Sequence, residues 1–292
     1  SKAWNNGQSN FLRIVGHELG HNFGLHHATA LDCGSDAVNG TCTNFGTLEY
    51  GDPYDIMGGL VGGIKYSFHQ NSPHKENLKW LGASAIREAS VNGTYTIEPI
   101  ESVSSGTKLL KVPKEKDALG NVLKWYFLEY RQALGFDSTI SSLSGTVTNG
   151  VLVHYEPGTV TSYLTKLLDM TPETTSWTDA ALGIGRTYTD TVTGVSFTPL
   201  SNTPTGIQVA VTQPTITCIH ANPTVIITPT SQFGSAGTSL SYTVSITNND
   251  NSLCPLSSFL LSQTVPSGWT SSLSSSFLSI APGTSGSVSS AI

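Results

Sequence analysis

Apolar residues near the start of the chain recur at helical spacing. Between positions 11 and 23 they are Phe11, Leu12, Ile14, Val15, Leu19 and Phe23. This spacing predicts a helix whose apolar stripe is buried. A second helix is predicted within 67–81, because Ser72 can cap its first turn and Pro73 suits the first helical position.

From about residue 90 the pattern changes to short segments with strand-like alternation. These segments are 94–97, 108–112, 122–130, 151–155, 163–168, 195–200 and 207–211. Turns rich in Gly, Asn and Pro separate them, which is typical of an antiparallel sandwich or barrel. The run 123–130 is the most apolar and is expected to be a central strand.

The last part of the chain follows a proline-bounded segment, Pro214 to Pro223. Period-two alternation at 224–227 and 240–246 predicts strands, and a Ser-rich end follows. This part resembles the immunoglobulin-like modules appended to many secreted hydrolases, and it is expected to be incomplete at Ile292. The pattern therefore predicts three regions, 1–88, 89–213 and 214–292.

The first predicted helix carries residues suited to a metal site. His17 and His21 are four residues apart, so their imidazoles project from one helix face and can take two corners of a zinc tetrahedron. Gly24 permits a positive φ that ends the helix and turns the chain. That turn brings His27 to a third corner. His26 is the alternative, but His27 has the ten-residue spacing from His17.

Glu18 stands beside the first histidine and is too close in sequence to be a further ligand. Three protein ligands leave one corner of the tetrahedron for water, which indicates a catalytic site. Glu18 is placed to hold that water. The alternative is an amphipathic core helix with incidental histidines.

The pattern H-E-x-x-H-x-x-G-x-x-H from His17 to His27 resembles the metzincin zinc peptidases, in which a turn containing methionine follows. The resemblance implies that Met57, in the segment 50–59, lies beneath the metal without binding it. No tyrosine stands two places after Met57, so no tyrosine ligand is assigned. The residues at 25–28 and 51–53 are similar to those of the gametolysin family.

The resemblance implies a fold class and a domain order. Residues 1–88 would be the mostly helical C-terminal part of a metzincin α+β catalytic domain, followed by two all-β, sandwich-like domains at 89–213 and 214–292. A twisted sheet precedes the zinc helix in metzincins, so the sequence is expected to be a fragment of a longer protein. Whether the fragment alone is active stays open.

The composition of the chain restricts the kinds of partner that the protein is expected to bind. A net charge of −6 and a pI near 5.7 argue against nucleic acid, which requires basic clusters. The sequence contains no run of 18 or more apolar residues, so no membrane-spanning segment is predicted. Charged residues make up only 12% of the chain, and Ser, Thr, Gly and Asn supply the polar surface, as in extracellular β-rich proteins.

The four cysteines form two local pairs, Cys33 with Cys42 and Cys218 with Cys254. An even count in a β-rich chain predicts two disulfides and an oxidising compartment, hence a secreted or cell-surface protein. Zinc ligation is the alternative, but neither pair has C-x-x-C spacing.

Five carboxylates lie near the metal motif in sequence. A Ca²⁺ site among them is a weaker expectation than solvated or turn-capping roles, because their spacing matches no EF-hand. Asp55 is also a candidate to hydrogen-bond the second nitrogen of a ligand histidine. The five are Asp32, Asp36, Glu49, Asp52 and Asp55.

The function predicted is that of a secreted zinc endopeptidase. It would hydrolyse peptide bonds of extracellular or cell-wall proteins, including glycoproteins, through a zinc-bound water activated by Glu18. The alternative is a cell-surface or glycan-binding β-module protein in which the truncated zinc region is inactive.

Overall fold

The computed structural model describes residues 11–42, 48–59, 67–116, 121–143, 145–156, 165–214 and 218–292. The chain forms two compact units, Ser1–Pro214 and Thr215–Ile292. Among the described residues, no helix combines the length and apolar character needed to cross a lipid bilayer.

The first unit contains three α-helices and eleven strands among its described residues, besides short 3-10 turns. The helices are α1 (Phe11–Asn22), α2 (Ser72–Asn77) and α3 (Ile140–Leu143). The strands are β1 (Thr29–Leu31), β2 (Ile86–Glu88), β3 (Gly93–Ile97), β4 (Leu109–Lys116), β5 (Val122–Glu129), β6 (Gly150–Tyr155), β7 (Lys166–Leu168), β8 (Leu182–Gly183), β9 (Tyr188–Thr189), β10 (Ser196–Thr203) and β11 (Gly206–Thr212).

Two sheets organise this unit. One is mixed, with the order β1-β7-β6-β5-β4-β2 and β8 paired to β6. Its β1–β7 and β2–β4 pairs are parallel and the others are antiparallel. The other is antiparallel, with the order β3-β11-β10-β9. The apolar run 122–129 is β5, which lies between β4 and β6 as expected of a central strand.

Side chains from both sheets form the main core. Leu110, Val112 and Leu128 of the mixed sheet belong to one buried cluster with Phe197 and Val209 of the antiparallel sheet. Alternation along the strands sends every second side chain to this face, which explains the period-two pattern of the sequence.

A second cluster covers the opposite face of the mixed sheet. It joins Leu152 and Leu167 of the sheet to Ile140 of α3 and to Tyr54 and Phe68 of the connecting loops. A smaller cluster, Leu25, Ala28, Ile56 and Met57, lies beside α1. The sheet thus supports the segments that surround α1.

The second unit is antiparallel. Its strands are β12 (Thr224–Thr228), β13 (Ser241–Thr247), β14 (Ser257–Leu260), β15 (Ser272–Leu273), β16 (Phe277–Ile280) and β17 (Ser285–Ala291). They form two sheets, β12-β13-β17-β15 and β14-β16.

The disulfide prediction is confirmed. The structure pairs Cys33 with Cys42 in the first unit and Cys218 with Cys254 in the second. Disulfides persist in oxidising compartments and are rare in the cytosol.

The prediction of a mostly helical first region is wrong. The structure is mostly β, with 35% strand and 13% helix, several antiparallel sheets and one mixed sheet. Part of the reason is that helix spacing extends only through α1, while 29–31 and 86–88 form strands of the mixed sheet. The second predicted helix is also short: α2 covers 72–77, and its cap is Asn71, whose side chain accepts a hydrogen bond from His74 N.

The predicted burial of the apolar stripe on α1 is wrong as well. Leu12, Leu19 and Phe23 are 57%, 41% and 59% exposed. The helix instead packs through its glycines, because an ideal Cβ on Gly16 or Gly20 would lie 2.4 Å or 2.3 Å from atoms of Ile56 and Met57. The glycine face makes the close contacts with Ile56 and Met57, whereas Phe23 of the stripe packs edge-to-face on Trp80, with ring centroids 6.0 Å apart.

Candidate metal centre

Three histidines converge at the end of α1. The ring centroids of His17 and His21 lie 4.8 Å apart, as expected for residues one turn apart on a helix. His27 lies beyond the helix, with its centroid 5.3 Å from that of His17 and 4.9 Å from that of His21. The three rings therefore form a nearly equilateral triangle.

The end of α1 brings the third ring back. Gly24 has φ +94°. Leu25 N donates to Gly20 O at 2.9 Å, and Gly24 N donates to His21 O at 3.0 Å. This pair of bonds is a Schellman motif, which reverses the chain direction at a left-handed residue. The conformation expected at Gly24 is thus present.

The hydrogen bonds of the three rings suit metal ligation. His17 Nδ1 lies 3.0 Å from Ile56 O, His21 Nδ1 lies 2.8 Å from Leu25 O, and His27 Nδ1 lies 2.6 Å from Glu49 Oε1. Each partner oxygen is an acceptor, so each Nδ1 is the protonated nitrogen and each Nε2 keeps its lone pair. Ligand histidines commonly use such hydrogen bonds to fix their tautomer.

The donor set fits a zinc ion. One ligand atom from each of the three rings lies within 4.8 Å of the others. A tetrahedral zinc holds its nitrogen ligands about 3.3 Å apart, so the rings would close by up to ~1.5 Å. Burial lowers the pKa of His17, and the neighbouring histidines lower it further, against the opposing effect of the Ile56 carbonyl. Both lowering effects favour the neutral imidazole that a metal requires.

Met57 forms the floor beneath α1. It is completely buried, and its Sδ lies where a side chain on Gly20 would begin. The adjoining Ile56 occupies the same position beneath Gly16 and supplies the carbonyl that holds His17. The methionine thus lies against the glycine face of the helix that carries His17 and His21.

Two buried aspartates hold the segment 52–57 in place. Asp52 accepts from Tyr54 N at 2.9 Å, and its other oxygen lies 2.9 Å from His154 Nε2 of β6. Asp55 accepts from Met57 N at 2.6 Å, and its other oxygen lies 2.8 Å from His74 Nδ1. Asp55 therefore binds His74 rather than a histidine of the triangle.

Glu49 was not anticipated as the partner of His27. It lies 22 residues from His27 and has an exposed side chain. No periodicity or spacing signals this contact, because it arises from the path of a loop. Asp55, which the sequence suggested as a hydrogen-bond partner of a ligand histidine, binds Met57 N and His74 instead.

Tyr50 is a second residue whose position beside the triangle no sequence pattern predicts. Its ring centroid lies 3.8 Å from that of His27 and 6.0 Å from that of His17. Its backbone has φ +66°, a left-handed conformation that is uncommon outside glycine. Gly59 N donates to Tyr50 O at 2.6 Å, and any Cβ on Gly59 would meet that oxygen at 2.5 Å.

Glu18 lines an open cleft beside the triangle. The cleft has a volume of about 510 Å³. Burial raises the pKa of Tyr50, and the nearby carboxylates of Glu49 and Glu18 raise it further. The carboxylate, one candidate ligand and the tyrosine therefore share one accessible space, whose lining is Arg13, Ile14, His17, Glu18, Tyr50, Gly58 and Gly59.

The carboxylates considered for calcium have protein partners. Asp32 accepts from Gly34 N at 2.9 Å, and Asp36 accepts from Val38 N and Asn39 N, both at 2.9 Å. These are turn-capping roles. A calcium site stays a prediction.

A second group capable of metal binding lies in the other unit. It consists of Cys218, His220 and Cys254. Its two cysteines form a disulfide, which removes the thiolates that a metal would need. Within the described ranges, the histidine triangle is therefore the better metal centre.

No protein-family model, curated protein or solved structure matches this chain.

Proposed function

We propose that this protein is a zinc-dependent peptidase of metzincin type. His17, His21 and His27 would hold the ion, and Glu18 would transfer protons during hydrolysis of a peptide bond. The observation that carries the proposal is the convergence of three imidazoles whose Nδ1 atoms are all engaged by acceptors. That arrangement leaves three Nε2 lone pairs for one ion.

Bound zinc supplies a Lewis acid that polarises a carbonyl group and makes a water molecule more acidic. The side chains of the protein would then position the substrate and the water molecule and transfer protons between them. Glu18 takes a proton from the attacking water and returns it to the leaving amine. Glu18 lines an open cleft beside His17, so its side chain can reach a substrate bound there.

The cleft favours an extended chain as substrate over a small enclosed ligand. It is open to solvent, and Gly58 and Gly59 border it opposite α1. The two disulfides support a secreted or cell-surface location, where the substrates would be extracellular or cell-wall proteins.

Metal content tests the ligand set independently of turnover. The protein is loaded with Zn²⁺, desalted and analysed for zinc by elemental analysis. We expect about one zinc per chain, and a loss of it in His21→Ala and His27→Ala. His26→Ala is the matched control, because His26 is adjacent to His27 but outside the triangle. Equal zinc content in His26→Ala and His27→Ala would reject the ligand assignment.

Turnover tests the role of Glu18. Cleavage of casein or gelatin is measured with and without a chelator, on the wild type and on Glu18→Gln. General acid–base groups contribute about 10²–10⁴ in rate, so Glu18→Gln should lose that factor and keep its zinc. If Glu18→Gln cleaved at the wild-type rate, the proton-transfer role would be wrong.

A further inference from the structure

A second cavity flanks α1 and is separate from the metal cleft. It has a volume of about 620 Å³. Leu12 and Gly16 of α1 line it, whereas His17 and Glu18 line the metal cleft. Its walls are rich in large apolar side chains, among them Phe68, Trp80, Leu81, Ile100 and Phe136. A cavity of this size and composition suits a small organic ligand with an apolar body.

The charged residues of this cavity are all basic. Its lining includes Lys75 and Lys108 and contains no Asp or Glu. Burial and the nearby Lys75 lower the pKa of His69, also in the lining, to about 4, so it adds no charge at pH 7. The chain as a whole carries 20 acidic and 14 basic residues, so this local balance is opposite to the overall one. An anionic ligand is therefore favoured over a cationic one.

The two lysines differ in their partners. Lys108 is bound to Glu98 at 2.9 Å and to Ser104 at 2.6 Å. Lys75 is only 8% exposed, yet among the described residues its Nζ has no hydrogen bond and no ion pair. An ammonium has three donors, and on the cavity wall those of Lys75 can be given to a ligand. Burial and the nearby Arg131 lower the pKa of Lys75, and a bound carboxylate would favour its charged form.

A group of buried charged residues around Arg131 lies close enough to affect Lys75 electrostatically. Arg131 is fully buried and lies 3.0 Å from Glu129, 2.6 Å from Asp137 and 2.9 Å from Glu101. Burial, opposed in part by Arg131, raises the pKa of Glu101 to about 9, so this carboxyl is neutral at pH 7. Glu129 and Asp137 are ion-paired with Arg131. They do not supply the hydrogen-bond acceptor that Lys75 lacks.

We propose that this cavity binds a small amphipathic carboxylate, with its apolar body against Phe68, Trp80 and Phe136 and its carboxylate on Lys75 Nζ. This site goes beyond the proposed peptidase function and does not depend on it. The carboxylate would complete the hydrogen bonding of Lys75, and the apolar walls would remove the tail from water.

Calorimetric titration of the whole chain tests the site with three probes of equal tail length. These are decanoate, decan-1-ol and decylamine. Decanoate should bind about tenfold more tightly than decan-1-ol, as a charge-assisted hydrogen bond implies, and decylamine should bind most weakly. A short peptide ending in Phe, as free acid and as amide, separates a peptide carboxylate from a fatty acid as the natural source.

Two variants locate the binding. Lys75→Met should lower decanoate affinity to that of decan-1-ol while decan-1-ol affinity persists, which also shows that the variant is folded. Ser84→Trp places a bulky side chain at the exposed rim of the cavity and should abolish binding of both. Ser90→Trp is its control, at an exposed serine outside the cavity lining.

The proposal fails if decanoate binds no more tightly than decan-1-ol, or if decylamine binds best. It also fails if Ser84→Trp and Ser90→Trp bind decanoate equally. Should Lys75→Met not fold, the ranking of the three probes and the pair of serine variants still decide the matter.

Discussion

The Sδ atom of Met57 lies directly against the backbone of Gly20, 2.3 Å from the point where a Cβ on that glycine would stand. Gly20 immediately precedes His21 on α1. The methionine and the histidine-bearing helix are therefore packed so closely that only glycine fits between them. Any side chain at position 20 must displace the floor of the metal centre.

Gly20→Ala is expected to destabilise the first unit by about 1–3 kcal/mol, because overpacking a filled core forces side chains and backbone to shift. Zinc affinity should fall as well. Urea unfolding and a competitive zinc titration measure the two effects. Gly145→Ala is the control, since a Cβ there meets no atom within 4 Å. A Gly20→Ala protein as stable as Gly145→Ala would contradict the packing described.

Glu49→Ala should weaken zinc binding by about 10- to 100-fold, as loss of a hydrogen-bond partner to a ligand histidine does elsewhere. The expected cause is loss of the 2.6 Å contact with His27 Nδ1. Stability without zinc should hardly change, because the Glu49 side chain is 56% exposed. Glu115→Ala removes a comparably exposed carboxylate paired with Lys124 and serves as control. Equal zinc affinities in the two variants would remove Glu49 from the site.

Asp190 should make the free energy of unfolding depend on pH in the acidic range. It is buried and accepts from Tyr126 at 2.8 Å, from Asn39 at 2.8 Å and from Lys114. Burial alone raises the pKa of Asp190, but the hydrogen bonds from Lys114, Tyr126 and the backbone outweigh it and hold that pKa well below its usual range. A depressed folded pKa contributes stability above the unfolded value near 3.8, and that stability is lost as the pH falls below it.

Asp190→Asn is therefore expected to cost about 3 kcal/mol at pH 7, because it leaves the Lys114 charge without its partner. The gap from wild type should stay constant down to about pH 5 and shrink below about pH 4. Urea unfolding at several pH values measures it. Glu173→Gln, which breaks an exposed surface pair with Arg186, should leave stability nearly unchanged at every pH. A gap that widened in acid would refute the assigned sign.

The disulfide Cys33–Cys42 should stabilise the first unit by about 2–4 kcal/mol, since it closes a short loop in the unfolded chain. Cys33→Ser/Cys42→Ser removes it and should lower the unfolding temperature of that unit alone. Cys218→Ser/Cys254→Ser is the counterpart for the second unit. Differential scanning calorimetry resolves the two. Coincident shifts of both transitions in either variant would show that the units do not unfold independently.

Local features of this molecule could be predicted from sequence. The four-residue spacing of His17 and His21 fixes their relative position on any helix, and Gly24 ends that helix with a left-handed residue as expected. Strand positions such as 93–97 and 206–212 follow from alternation, because side chains on a strand point to opposite faces in turn. The cysteine pairs are also close in sequence.

Pairings and contacts between distant parts of the chain could not be predicted from sequence. β1 pairs in parallel with β7, with Thr29 opposite Lys166, and nothing in the residues of either strand identifies the other. The fold class was wrong because the pattern of one helix was extended over a region that also supplies strands to the sheet. Tyr50 reaches His27 through a left-handed backbone, a conformation that tyrosine does not signal.

The anchoring of the segment 52–57 has a practical consequence. Asp52 ties that segment to His154 in the middle of the mixed sheet, and Asp55 ties it to the start of α2. The histidines thus owe their alignment to strands more than a hundred residues away along the chain. If zinc is bound as proposed, its release on heating would therefore coincide with melting of the sheet, and free zinc in solution would report unfolding of the unit.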